Sequence, residues 1–314
     1  MPPKPFRVSP CSFCGSVEYR LAPFTTVMEG NDATALHICN NCGMTTYFTT
    51  ALDNYANYMK TEYYEHWTRA KKSECKSMPP IRELIDRLEK YVPIKGKSVL
   101  DVGCGEGQVI REFNRRGAHA AGIEPMTTMA EKLRAEGLEV YNGFLSEVAP
   151  KLERRYDVVS LYWVLEAMKD PFGELKRIGE LLKPHGVLWM TGACTVLRPY
   201  FKWSSEFGFV PLRVWQKPIR KFEGSRRKVE AHPMLFSHDM IIAMLELAGF
   251  DILYITPASE KWHTVFARPG KVNEQAAKRL PSSRRIWAYF VYWKVLDLLV
   301  RPTYDGLYRL LKRV

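Results

Sequence analysis

Asp101, Gly103, Gly105 and Gly107 alternate through the stretch Val99-Leu-Asp-Val-Gly-Cys-Gly-Glu-Gly107. Glycines so spaced build a turn whose bare backbone can lie against a ligand, where a Cβ would intrude. Val109, Ile110 and Phe113 follow at helical spacing, so the turn opens a helix. The unpaired N–H groups and positive dipole end of that helix suit a polar ligand. Glu124 ends the short run from Ala118, about twenty residues past the first glycine, where a carboxylate can accept hydrogen bonds from both hydroxyls of a ribose. A dinucleotide fingerprint would need glycine where Gln108 stands, and no Gly-Lys-Ser/Thr follows to make a P-loop. A nucleoside without a pyrophosphate fits this arrangement best.

A second constellation is made of sulfur. Cys11-Ser-Phe-Cys14-Gly15 and Cys39-Asn-Asn-Cys42-Gly43 are two C-x-x-C pairs with 24 residues between them. Each C-x-x-C-G can turn two thiolates toward one ion, with the glycine in the left-handed conformation. Two such knuckles give a closed four-cysteine zinc site whose metal is structural, since no coordination position stays open. The rival is a redox C-x-x-C, against which two copies without a thioredoxin-like setting argue. Strands are expected around Val17–Leu21 and Leu36–Ile38, and His37 is not needed as a ligand.

The elements around the glycine turn alternate strand and helix. Ile81, Leu84, Ile85, Leu88 and Val92 mark a helix begun at Pro79 and Pro80. Met126, Met129, Ala130 and Leu133 mark another, ended by Gly137. Strands are expected at Leu138–Tyr141, Tyr156–Tyr162 and Val187–Met190, and a helix carries Leu175, Ile178, Leu181 and Leu182 as far as Lys183–Gly186. A helix capped by Ser237 and closed by Gly249 precedes two further strands, Phe250–Thr256 and Lys261–Ala267. This alternation demands a parallel α/β sheet with helices on both faces.

Asp101, the three glycines and Glu124 together resemble the first motif, D-x-G-x-G-x-G, and the ribose-binding acid of the class I S-adenosylmethionine-dependent methyltransferases. The resemblance implies a Rossmann-like seven-stranded sheet and S-adenosylmethionine as cofactor. It places Phe144 and Leu145, in the turn after the third strand of the sheet, near adenine, although the acidic residue common there is missing. It also places Leu161 and Tyr162, at the end of the next strand, beside the cofactor. The segment from Trp163 to Pro171 resembles the family's Leu-Glu-His segment, with Ala167 in place of the histidine. Ala231-His-Pro-Met-Leu-Phe-Ser237 resembles a segment in which a histidine and an aromatic precede a capping serine; His232 is therefore the candidate general base, weighed against a histidine that only binds backbone. His185 and His238 read as surface or capping residues. The Tyr-rich stretch around Thr61–Trp67 resembles the linker joining a ribbon to the catalytic domain in bacterial methyltransferases of sugar, polysaccharide or secondary biosynthesis; the alternative is that its aromatics only pack the ribbon.

The expected organisation is a zinc ribbon over 1–50, the linker over 51–78, the catalytic domain over 79–268 with a substrate lid at 193–236, and a basic helical tail over 269–314. Net charge is +12, concentrated in Arg213–Lys228 and Arg268–Val314. A basic field suits an anionic partner, or it serves solubility alone. The aromatic and leucine run Ile286–Val300 is too short for an ordinary membrane span, but with the flanking arginines residues 284–314 suit an anionic membrane interface. A docked helical pair or a homodimer contact is the alternative. Seven cysteines with no export signal point to a reducing, cytoplasmic setting.

The activity this implies is methyl transfer to a small-molecule, glycan or lipid-linked acceptor at the cytoplasmic membrane face. RNA methylation is an alternative, against which the ribbon from Cys11 to Cys42 holds only Arg20 as a basic residue. A non-catalytic module that keeps the cofactor fold is a third reading.

Overall fold

A computed structural model of the chain describes residues 9–23, 27–29, 32–49, 60, 80–153, 155–192, 234–257, 263–288 and 291. Most of the linker, residues 193–233 of the expected lid with His232, and the tail beyond residue 291 lie outside the described residues. The chain divides into two compact units.

The first is an antiparallel sheet of five short strands. Strands β1 (Tyr19–Leu21) and β2 (Val27–Glu29) both pair with β3 (Asp32–Cys39), and β3 pairs in turn with β4 (Thr45–Thr49). Ala35, Leu36 and Ile38 of β3 are fully buried, which supplies the apolar anchor such short strands need. The fifth strand, β10 (Met234–Leu235), comes from far along the chain and pairs with β4, Met234 opposite Thr46. This corrects the expectation that residues up to 236 belong to the lid. Gly43 has φ +75°, and a Cβ there would run into the Pro281 carbonyl and Ile286, which is itself buried. Residues 281–286 of the expected tail thus pack on the second cysteine knuckle.

The second unit is layered α/β. Its elements are α1 (Ile81–Leu88), β5 (Ser98–Val102), α2 (Gln108–Arg115), β6 (His119–Glu124), α3 (Thr127–Ala135), β7 (Glu139–Asn142) and α4 (Leu145–Val148), then β8 (Tyr156–Tyr162), α5 (Pro171–Leu181), β9 (Leu182–Gly192), α6 (His238–Leu247), β11 (Phe250–Ile255) and β12 (His263–Pro269). The seven strands lie in the order β11-β12-β9-β8-β5-β6-β7, with β12 antiparallel to both of its neighbours and the pairs from β9 to β7 parallel. The order reverses at β5, which places the turn after β5 at the switch point where open α/β sheets bind ligands.

One face of this sheet is closed by α1, α2 and α3 over a core of Leu84, Ile85, Leu88, Phe113, Leu133 and Trp189. Phe113 meets Trp189 edge-on, ring centroids 6.0 Å apart. Helix α5 starts where Pro171 takes the first position and the Asp170 carboxylate accepts the Gly173 N–H at 2.9 Å. Strand β9 begins at Leu182, five residues before the apolar run at Val187, because Lys183–Gly186 continue as extended chain. Strand β12 runs to Pro269, and a 3-10 turn, Glu274–Arg279, follows; beside it the Asn273 amide donates to Glu246 of α6 at 2.9 Å. The second unit therefore extends past the expected boundary at 268, to residue 280. Among the described residues no helix is long and apolar enough to cross a membrane.

Arg116 clasps α1 to α2. Its guanidinium reaches Asp86 at 2.7 Å, Glu89 at 3.0 Å and Glu112 at 2.9 Å, and donates to the Arg82 carbonyl at 3.0 Å. Lysine has no planar fork to serve this set. Arg116→Lys is expected to cost about 1–2 kcal/mol in urea unfolding, since the arginine is largely shielded while two partners face solvent. An unchanged midpoint would show the clasp to be idle.

Candidate functional site

The turn after β5 is shaped by its glycines and held by a carboxylate. Gly103 has φ +66°, and a Cβ there would lie 2.7 Å from Val164 Cγ2. Its lack of a side chain thus answers to packing from the chain after β8 as well as to any ligand. Gly107 caps α2 in the left-handed conformation. Between them the Gly105 N–H donates to Glu124 Oε2 at 2.9 Å, and the Met126 N–H donates to Oε1, also at 2.9 Å. Glu124 is only 4% exposed.

Burial is the largest influence on Glu124 and pushes its pKa up; the two backbone donors pull it partway back. Asp101, 2% exposed, accepts the Ser160 hydroxyl at 2.6 Å. Burial pushes its carboxyl up to about 7, the Ser160 bond draws it down, and the negative charge of Glu124 pushes it up further. Asp101 and Glu124 stand on the same face of the sheet, because Asp101 pairs in register with Gly122, two residues before Glu124.

The residues fit a nucleoside. Each Glu124 oxygen holds one backbone donor in the structure, and a carboxylate can take about four in all. Two ribose hydroxyls would complete it. The structure therefore brings together Asp101, Gly103, Gly105, Gly107 and Glu124. Phe144 lies at the N-cap of α4 with the Lys60 ammonium 5.1 Å from its ring centroid, and Leu145 is buried in the first turn of that helix. Leu161 is fully buried, alternating with Ser160 to the opposite face of β8 from Asp101, and packs as core. Tyr162 is half-buried and leans on Trp189, ring centroids 6.0 Å apart.

Several residues here escape a reading of the sequence. Ser160 carries a weak signal, a lone hydroxyl inside an apolar strand. Trp163 carries none: it takes φ +64°, unusual for a side chain so large, and donates its N–H to the Thr191 carbonyl at 2.7 Å. His238, expected as a surface or capping residue, is half-buried and opens α6. Its Nε2 donates to the Thr256 carbonyl at 3.2 Å, and its ring lies 5.1 Å from that of His263.

In the first unit the sulfur atoms of Cys11, Cys14, Cys39 and Cys42 all lie within 4.8 Å of one another. Cys11 and Cys42 are 3.6 Å apart, and Cys14 and Cys39 3.5 Å. A tetrahedral ion with Zn–S bonds of about 2.3 Å holds its sulfurs about 3.8 Å apart, so the set fits zinc closely. Both knuckles make the same turn, with Gly15 N–H on the Cys11 carbonyl at 2.8 Å and Gly43 N–H on the Cys39 carbonyl at 3.0 Å.

The pKa of Asp101 has a consequence for stability. A carboxyl raised from 3.8 to about 7 on folding favours the folded state below the lower value, and that advantage is lost as pH rises through the higher one. Asp101→Asn keeps an acceptor for Ser160 and removes the titration. The melting temperature of the variant relative to the parent is expected to rise from pH 5 to pH 8, by the equivalent of a few kcal/mol. Parallel curves would refute the shift.

Residues 72–255 match the family model described as a methyltransferase domain. The ubiquinone biosynthesis O-methyltransferase of Stutzerimonas stutzeri is 28% identical over 145 residues, 44% of this chain and 62% of that protein. Its counterpart from Rhodopseudomonas palustris is 34% identical over 101 residues, 30% of this chain and 39% of that protein. The chain thus spans less than two thirds of the length of these relatives. Among solved structures, magnesium protoporphyrin IX methyltransferase from Synechocystis, with bound S-adenosylhomocysteine, is similar at a TM-score of 0.48 and 16% identity, over 68% of this chain and 98% of that one. Since the matched segment is more than half of the 314 residues and contains both the glycine turn and Glu124, the chain belongs to the methyltransferase-domain family.

Proposed function

We propose that this protein transfers a methyl group from S-adenosylmethionine to a hydroxyl oxygen of a small-molecule acceptor. The observation that carries the cofactor half is the buried Glu124 carboxylate, fixed by Gly105 and Met126 beside a left-handed glycine turn. The choice of oxygen rests on the names of the relatives, which are O-methyltransferases. When bound, S-adenosylmethionine supplies a methyl group already activated on a sulfonium. The chain supplies alignment: Glu124 takes the ribose hydroxyls, Gly103 and Gly105 give the ligand a turn with no side chains, and Asp101 braces that turn through Ser160.

Zinc at Cys11, Cys14, Cys39 and Cys42 is structural in this reading, because four sulfurs complete its shell. A sugar, glycan or lipid-linked acceptor, and a place on the cytoplasmic membrane face through residues 284–314, are finer readings that rest on the linker and on the basic tail of the sequence. Retention of the full chain on anionic vesicles, lost at high salt, tests the latter.

Calorimetry on the full chain tests the central claim. S-adenosylhomocysteine is expected to bind, and Glu124→Ala to weaken it at least tenfold, by the loss of two charge-assisted bonds. Because ribose donors favour the ionised carboxylate, affinity should fall as pH drops through the titration of Glu124. An affinity untouched by the substitution sinks the reading. Metal analysis should find one zinc per chain, and none in Cys39→Ser; retention of zinc by that variant would remove Cys39 from the ligand set.

A further inference from the structure

The end of β9 holds a buried acid and a buried imidazole that the cofactor site does not use. Glu166 sits in a 3-10 turn, Leu165–Ala167, just after β8, and is 5% exposed. Its carboxylate occupies the space where Gly192, the last residue of β9, would carry a side chain: a Cβ built there would lie 2.9 Å from Glu166 Oε2. Gly192 pairs in register with His263, the first residue of β12, which is 2% exposed. Directly opposed residues of an antiparallel pair project to the same face, with Cβ atoms about 5 Å apart. The Glu166 carboxylate thus fills the side-chain position of Gly192, the residue that β12 sets opposite His263. The His238 ring, from α6, packs 5.1 Å from the ring of His263.

All of this lies at the carboxyl ends of β8 and β9, the end of the sheet that also carries the glycine turn. Ala167 stands where the resemblance would put a histidine after Leu-Glu. A histidine of β12, His263, 97 residues further along the chain, is paired with Gly192, the residue on which that same glutamate rests.

We infer that Glu166 and His263 form the proton-accepting pair of the methyl transfer, with His263 as the base and Glu166 as its positioning partner. This rests on the proposed transfer to a hydroxyl. In that reaction the acceptor oxygen forms a bond to the methyl carbon and loses its proton, while the carbon–sulfur bond breaks and its electron pair stays on sulfur. His263 takes the proton, and the carboxylate of Glu166 balances the imidazolium until water removes it. A base of this kind contributes about a hundredfold or more to rate, and a buried imidazolium needs a counter-charge.

The test uses the full chain with 13C-labelled histidine and saturating S-adenosylhomocysteine. Magnetic resonance follows the ring of His263, identified by its loss in His263→Asn. Glu166→Gln is expected to move the titration of that ring to lower pH by about one unit, since a neighbouring carboxylate favours the protonated imidazole. Separately, radiolabelled S-adenosylmethionine is incubated with small-molecule extract of the producing cells. His263→Asn is expected to reduce label transfer at least a hundredfold with S-adenosylhomocysteine affinity unchanged, and the residual rate to climb with pH. A His263 titration indifferent to Glu166→Gln, or full transfer by His263→Asn, overturns the pair. Failure of the parent protein to bind S-adenosylhomocysteine would overturn the broader reading instead, so the two can be told apart.

Discussion

A carboxylate cannot be buried unless donors meet it, and the head of this sheet is arranged around meeting two. Glu124 takes the N–H groups of Gly105 and Met126, one ahead of α2 and one ahead of α3. A single side chain thereby fixes the start of two helices relative to β6. Asp101 takes the Ser160 hydroxyl across the β5–β8 pair. Charge-assisted bonds of this kind contribute about 1.5–3 kcal/mol each, less than the several kcal/mol of taking an ion out of water. Burial accordingly remains the dominant influence on both groups. The site holds electrostatic free energy in reserve, and a ligand with two hydroxyl donors is what would release it.

The glycine turn owes its shape to more than the ligand. Cys104 donates its N–H to the Ile123 carbonyl at 3.0 Å, and a Cβ at Gly122 would lie 2.6 Å from the Cys104 sulfur. Gly103 makes room for Val164 in the same way. The turn is thus wedged from both neighbouring strands, β6 and β8. A small shift of Val164 or Cys104 would reach the ligand-facing backbone directly, which couples sheet packing to cofactor geometry without any moving part.

What the sequence disclosed was what is local. The motif from Asp101 to Gly107, the acid at Glu124, the two cysteine knuckles and the helix faces at Leu84–Leu88 and Val109–Phe113 depend on neighbours a few residues away, and periodicity or spacing reveals them. Residues that matter through pairing at a distance stayed hidden. His263 gains its meaning from a register with Gly192, and β10 from a pairing with β4 nearly 190 residues earlier. Composition gave Met234–Leu235 to a loop because two residues carry no period. Trp163 is held left-handed by the Thr191 carbonyl, a constraint that no spacing in its own segment encodes. Leu161 shows the opposite error: family position suggested a ligand contact, while the alternation of β8 turns it into core.

Among the described residues, the strands of the first unit are two to eight residues long and give few cross-strand pairs. A metal held by the four sulfurs would add to that sheet's stability, since the free energy of binding would become free energy of folding. Strand β10, on the edge of this sheet, leads through two residues into α6, and Pro281 and Ile286, which rest on Gly43, follow the last turn of the second unit.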